Sequence, residues 1–194
     1  MRTFVIIRDM EELWQLYGED AQPLTNLGAT KNDALSRALL HGASHVWMWR
    51  IRDGIIEVLL QKRASNKRTW PNKLDISAAG HIDLGETPLE VAIRETKEEI
   101  GIDVQGNDLK QFALHKTYLV AEDGSIENEF QWLYSIKIDG HQDFTLQESE
   151  VDSLRWVSLD EIQKNYKNDE YVPHGDEYYG KVLEAIANDS GLNR

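Results

Sequence analysis

Residues 80–102 read GHIDLGETPLEVAIRETKEEIGI, and within them one helix writes out its own beginning and end. Thr87 is a capping residue, Pro88 suits the first helical position because its missing N–H has no partner to lose there, and Glu90 completes a T-x-x-E capping box. Gly101 stands where a helix closes on a left-handed residue. Between these signals Leu89, Ala92, Ile93, Thr96 and Ile100 recur at helical spacing and predict the inward stripe. Glu95, Glu98 and Glu99, at i, i+3 and i+4, crowd one side of the helix within about one turn. Like charges so placed cost an isolated helix roughly 0.2–0.5 kcal/mol per pair unless a cation sits among them. A cluster of hard oxygen donors is what Mg²⁺ or Mn²⁺ prefers. An acidic helix face by itself is usually only a solvated surface, so the weight falls on its surroundings.

Outward from this helix the chain alternates strand and helix patterns. HVWMWRI (45–51), the turn RDG and IIEVLLQKR (55–63) predict a hairpin. The loop ASNKRTWPNK and the segment LDISAAGHI then lead into the capped helix. KQFALHKTYLV (110–120) and EFQWLYSIKI (129–138) read as strands separated by the turn AEDGS. SLRWVSLDEIQKNY (153–166) reads as a strand, a Ser158 cap and a helix, and residues 176–188 as a closing helix. TKNDALSRALL (30–40) predicts a short helix capped by Thr30, and residues 3–24 one or two short strands around GEDAQP. No repeat, linker or low-complexity tract interrupts the chain. The expectation is one domain over 1–194 with a strand and helix extension over about 1–40.

Composition narrows the chemistry. With no cysteine, disulfides, thiolate metal sites and thiol nucleophiles are excluded, leaving carboxylates, imidazoles, cations or a bound metal. No apolar run reaches the roughly 18 residues a membrane span needs, and MRTFVIIRDMEEL turns acidic too early for a secretory signal, so a cytoplasmic protein is expected. A net charge of −13 argues against duplex nucleic acid as a partner, because counterion release needs clustered cations. An anionic substrate would be met locally, by a divalent cation held on carboxylates and by a few basic side chains.

Gly80, Glu86, Arg94, Glu95, Glu98, Glu99 and Gly101 match the pattern G-x5-E-x7-R-E-U-x-E-E-x-G-U position by position. In this the chain resembles the Nudix hydrolase superfamily. The resemblance implies an α/β fold, an α/β/α sandwich around a mixed β-sheet, and hydrolysis of a phosphoanhydride bond in a small diphosphate with Mg²⁺ or Mn²⁺. It implies that Glu95, Glu98 and Glu99 bind the cation or handle the attacking water, that Gly80 lends a carbonyl, and that Arg94 holds a catalytic carboxylate, Glu98 at i+4 being the neighbour in reach. Thr96 departs from the bulky aliphatic of the pattern; its hydroxyl is expected to bond a carbonyl one turn back. The physics agrees with the resemblance. A metal bridging two phosphates neutralises charge on the leaving group and lowers the pKa of water, and a further carboxylate can take the proton. Glu95, Glu98, Glu148 and Glu150 all remain open as that general base.

A narrower resemblance covers residues 41–101. HVWMW, VLLQKRASNKRTWP and AAGHIDLGE are similar in order and spacing to the isopentenyl-diphosphate isomerase-like branch of the superfamily. It implies that Arg63 and Lys67 bind the diphosphate, and that His41, His81, Glu127 and Glu129 form a second metal site, with Ala34 near the place of a further histidine. Ala79 stands where the isomerase needs a thiol. The expectation is therefore a hydrolase on the isomerase-like scaffold, with isomerisation and a non-catalytic nucleotide- or diphosphate-binding module as alternatives. Trp47, Trp49 and Trp132 read as core or dimer surface and Trp70 as a ring that could stack on a base. Family habit adds a homodimer.

Overall fold

The computed structural model describes residues 12–192, so the expectations on residues 1–11 lie outside the described residues. In chain order the elements are β1 (Leu13–Tyr17), β2 (Pro23–Thr30), α1 (Lys31–Ser36), β3 (His41–Arg52), β4 (Ile55–Arg63), β5 (Leu74–Asp75), β6 (Ala78–His81), α2 (Pro88–Ile100), β7 (Lys110–Val120), β8 (Ile126–Lys137), β9 (Val151–Ser158), α3 (Leu159–Asn165) and α4 (Asp176–Ser190). The strands join in one mixed sheet. β3 pairs in parallel with β8 and antiparallel with β1, β4 and β6, while β9 continues from β4 and β7 from β8.

The run Val46-Trp47-Met48-Trp49 is apolar throughout, without the polar alternation of a half-exposed strand, because both of its faces are covered. Trp47 and Trp49, with Val58 and Leu60 of β4, pack on Tyr178, Tyr179, Val182 and Ile186 of α4. Val46 and Met48, with Leu59, pack on Ala92 and Ile100 of α2. Successive side chains point to opposite faces, so the two clusters place α2 and α4 on opposite sides of the sheet, as an α/β/α sandwich requires. No helix among the described residues is long and apolar enough to cross a membrane.

β3 and β4 pair only from Met48 and Leu59 outward to their turn, and then diverge. The gap is filled by β5 on β4 and β6 on β3, two short strands that the sequence pattern left unassigned in LDISAAGHI. Ser77 sits at the fork. Its hydroxyl accepts from the Met48 N–H at 2.8 Å and donates to the Leu59 carbonyl at 2.6 Å, satisfying two backbone groups that the divergence would otherwise strand in the core. Ala79, Gly80 and His81 are thereby carried along the open edge of β3.

α2 has the predicted ends: Thr87 and Glu90 form the reciprocal capping box, and Gly101 adopts φ 79°. Its buried set is Val91, Ala92, Thr96, Glu99 and Ile100, with Leu89 and Ile93 only partly buried, so Val91 and Glu99 join the expected stripe. The expected Thr96 hydrogen bond is not made: Oγ1 is buried without a partner among the described residues. α1 is shorter than the predicted 30–40, because Ala38 turns to φ 51° and the Leu39 N–H closes back on the Ala34 carbonyl. β3 in turn begins at His41, ahead of the predicted strand, because β8 pairs with it from that residue onward.

Ser77→Ala strands a buried N–H and a buried carbonyl and is expected to cost about 2 kcal/mol or more in denaturant unfolding. Thr96→Val exchanges an unpaired buried hydroxyl for a methyl and should stabilise by about 1 kcal/mol, seen as a raised midpoint at unchanged slope.

Candidate active site

A cavity of about 370 Å³ opens between α2, β6, the loop after β4 and the segment that leads into α4. Its acidic wall comes from α2. Gly80 of β6 faces Glu95, and a Cβ there would collide with the Glu95 carboxylate, so glycine leaves the room that this side chain occupies. Glu99, 5% exposed, accepts from the Ala79 N–H at 3.0 Å and from Gln61 Nε2 at 3.3 Å. Glu98 is half exposed at the rim. Arg94 ties the group together. It donates to both oxygens of Glu86 at 3.0 and 2.9 Å, to Glu95 at 2.6 Å and to Glu98 at 3.1 Å. The Arg94–Glu98 contact was expected; the grip on Glu86 and Glu95 is what the structure adds.

Burial pushes Glu95 up to about 7 in spite of Arg94, and Glu99 up to about 8 with Glu95 adding to the effect. Carboxylates that cost this much to ionise, gathered around a strand backbone, form an oxygen donor set that fits a hard divalent cation.

The opposite wall carries cations. Lys67 pairs with Glu150, and both line the cavity. Glu148 is exposed and lies off the cavity lining. Arg63 also lines it, held by Asp75 at 2.9 Å and by the Thr69 carbonyl. Lys31 and Arg68, which the sequence did not single out, complete this set. Lys31 is pushed down by burial and by Lys67, Arg68 and Arg63 around it, and its ammonium lies 5.7 Å from the centre of the Trp14 ring.

His41, His81 and Glu129 converge at the floor, their ligand atoms all within 4.8 Å of one another. His41 Nε2 lies 3.3 Å and His81 Nε2 3.5 Å from Glu129 Oε2. Neither His41 Nε2 nor Glu129 Oε2 makes a well-aligned hydrogen bond among the described residues, although both are buried. Trp14 stacks on His81 at 3.6 Å and 8°, fixing the ring. Glu127 lines the same end, pushed up to about 7 by burial and by Glu129. Two imidazole nitrogens converging on one carboxylate oxygen, with His41 Nε2 and that oxygen buried and unpartnered among the described residues, fit an N/O-ligated metal.

Three further groups face the cavity that the sequence did not mark: His45, Asp75 and His174. Asp75 in LDISAA, a carboxylate inside an apolar run, was a visible signal; isolated histidines carry none. Trp70 lines the cavity at φ 51°, while Trp47 and Trp49 are core.

A family model described as NUDIX domain matches residues 41–175. An uncharacterised Nudix hydrolase of Listeria monocytogenes is 33% identical over 168 residues, 85% of this chain and 90% of that protein. Nudix hydrolase 3 of Arabidopsis thaliana is 34% identical over 153 residues, 75% of this chain, but the chain spans only 20% of that longer protein. A crystal structure from Deinococcus radiodurans superposes with a TM-score of 0.67 at 15% identity, covering 90% of this chain and 99% of that one, a likeness of fold. With the acidic helix laid against Gly80, and these matches running through it, the chain belongs to the Nudix family and is a Nudix hydrolase.

Proposed function

We propose that the protein hydrolyses a phosphoanhydride bond in a small organic diphosphate, using Mg²⁺ or Mn²⁺ held by Glu95, Glu98, Glu99 and the Gly80 carbonyl. The observation that carries this reading is the meeting of those carboxylates with Lys67, Arg63 and Lys31 across one cavity. Bound there, a divalent cation would neutralise the diphosphate and make water easier to deprotonate. The residues of the chain do the rest. Lys67, Arg63 and Lys31 hold phosphate oxygens by charge-assisted hydrogen bonds. Water oxygen bonds to one phosphorus, the bridging P–O bond breaks with its electron pair on the departing phosphate, and one water proton passes to a carboxylate. Glu150 is our choice for that base, since it lines the cavity beside Lys67 while Glu148 does not. Arg94 is a positioning residue that sets Glu95 and Glu98.

His41, His81, Glu129 and Glu127 are proposed to hold a second metal. Isomerase chemistry finds no support, because it needs a proton-carrying side chain where Ala79 presents only a methyl and a backbone N–H bound to Glu99.

Glu98→Gln and Glu99→Gln are each expected to lower turnover of a phosphoanhydride panel by about 10²-fold or more while circular dichroism is unchanged. Undiminished release of phosphate by both variants would remove the assignment of these residues. A non-catalytic binder would instead give tight calorimetric binding of a panel member with no product.

The acids also set a pH dependence. Glu95 and Glu99 are raised in the folded state, so the cost of ionising them is absent below the ordinary carboxylate value of 4.5, grows with pH and is complete above about 8. A cation that binds the ionised form relieves this cost. The rise in melting temperature on adding Mg²⁺ or Mn²⁺ should therefore be small near about pH 6 and large near about pH 8.5; an equal rise at both would contradict the assignment.

A further inference from the structure

His45, Asp75 and His174 wall the part of the cavity that the hydrolytic reading leaves unused. Their hydrogen bonds reveal where the protons lie. Indole can only donate, and Trp47 Nε1 donates to the Tyr178 hydroxyl at 3.1 Å. That hydroxyl lies 2.7 Å from His45 Nδ1 and is placed to donate its one proton there. A ring that accepts at Nδ1 carries its own proton on Nε2, and burial keeps it neutral by pushing its pKa down to about 3. His174 is arranged the other way round. Asp75, held ionised by His174 and Arg63 against the effect of burial, can only accept, so His174 donates to it from Nε2 at 2.8 Å. With Nε2 committed to Asp75, Nδ1 is the ring nitrogen left for a partner in the cavity.

Neither His45 Nε2 nor His174 Nδ1 has a hydrogen-bond partner among the described residues. The two rings lie 5.8 Å apart, centre to centre, at 63°. Tyr178, in the first turn of α4, controls both, bonding one and stacking on the other at 4.5 Å. A hydroxyl both donates and accepts, so it can bond a cavity-facing imidazole nitrogen in either role.

We propose that His45 and His174 form a hydroxyl-reading subsite, so that the diphosphate hydrolysed here carries a polyol or sugar moiety instead of a hydrocarbon chain. This rests on the hydrolytic reading above. An isoprenoid chain in the same place would strip water from both imidazoles beside Asp75 and Glu127 and return no hydrogen bond. Sites built to bond a hydroxyl reject analogues lacking it far more strongly than apolar pockets reject an added group.

The test uses small organic diphosphates matched in length: a polyol diphosphate, its singly deoxygenated counterparts and an isoprenoid diphosphate. Wild-type kcat/KM is expected to favour the polyol over the isoprenoid by about 10²-fold or more and to fall on removal of one particular hydroxyl. In His174→Phe the polyol-to-isoprenoid ratio should drop by about 10- to 100-fold, and His174→Gln, whose amide offers both a donor and an acceptor, should recover part of it. If His174→Phe does not fold, the wild-type comparison across the deoxygenated series decides alone. An isoprenoid turned over as well as the polyol, or no single hydroxyl that matters, overturns the subsite and leaves hydrolysis standing. No turnover of any diphosphate overturns the hydrolytic reading, and the subsite falls with it.

Discussion

The close approach of α2 to β6 is the constraint on which the site depends. A helix carrying three glutamates in one turn repels itself, and two of them are turned toward the protein instead of water. That is tolerable only because the facing strand offers a residue without a side chain at Gly80 and a free N–H at Ala79, which Glu99 takes. Any Cβ at position 80 would displace the Glu95 side chain from the backbone it lies against. The strand can occupy this place because β3 and β4 splay, and because Ser77 bonds both sides of the fork. Core packing, a glycine and a buried serine thus act together to place the carboxylates.

Electrostatically the cavity is held in tension between its walls. Arg94 lies among Glu86, Glu95 and Glu98 and offsets part of their repulsion, yet Glu95 and Glu99 remain costly to ionise. Lys67, Arg63, Lys31 and Arg68 face them in a chain of net charge −13. Positive charge is therefore concentrated at a place where a phosphorylated anion would lie against acids that need a cation. Across the cavity Lys67 offsets part of the cost of ionising Glu99.

The far end of the cavity belongs to different elements. His45 and His41 come from β3, His81 from β6, Asp75 from β5 and His174 from the approach to α4. Their placement follows from the pairing of β3 with β6 and β8, which sets His41 opposite Glu129 and Ala43 opposite His81. α4 packs on the other side of the sheet, and Tyr178 in its first turn, itself buried, touches His45 and His174 behind the cavity wall. The same helix that closes the core thereby orients two rings that line the cavity.

Much of the fold was legible in local pattern. The capping box, the left-handed Gly101, the hairpin around Asp53 and Gly54, and the doubly buried run at Val46–Trp49 are local signals whose physical cause lies within a few residues. The spacing of Glu95, Glu98 and Glu99 likewise defines the acidic face without reference to the rest of the chain. What local pattern missed depended on partners far along the chain: β5 and β6 exist only because two other strands diverge, and Thr96 lacks a partner because of how its turn packs. The convergence of His41, His81 and Glu129, the pairing of Asp75 with both Arg63 and His174, and the position of Glu150 on the cavity wall were decided by tertiary structure alone. Sequence by itself determines which helix carries the acids, because helix caps and residue spacing act over one or two turns. Only the folded sheet decides which imidazoles and cations meet them, because those contacts span tens of residues and depend on strand register.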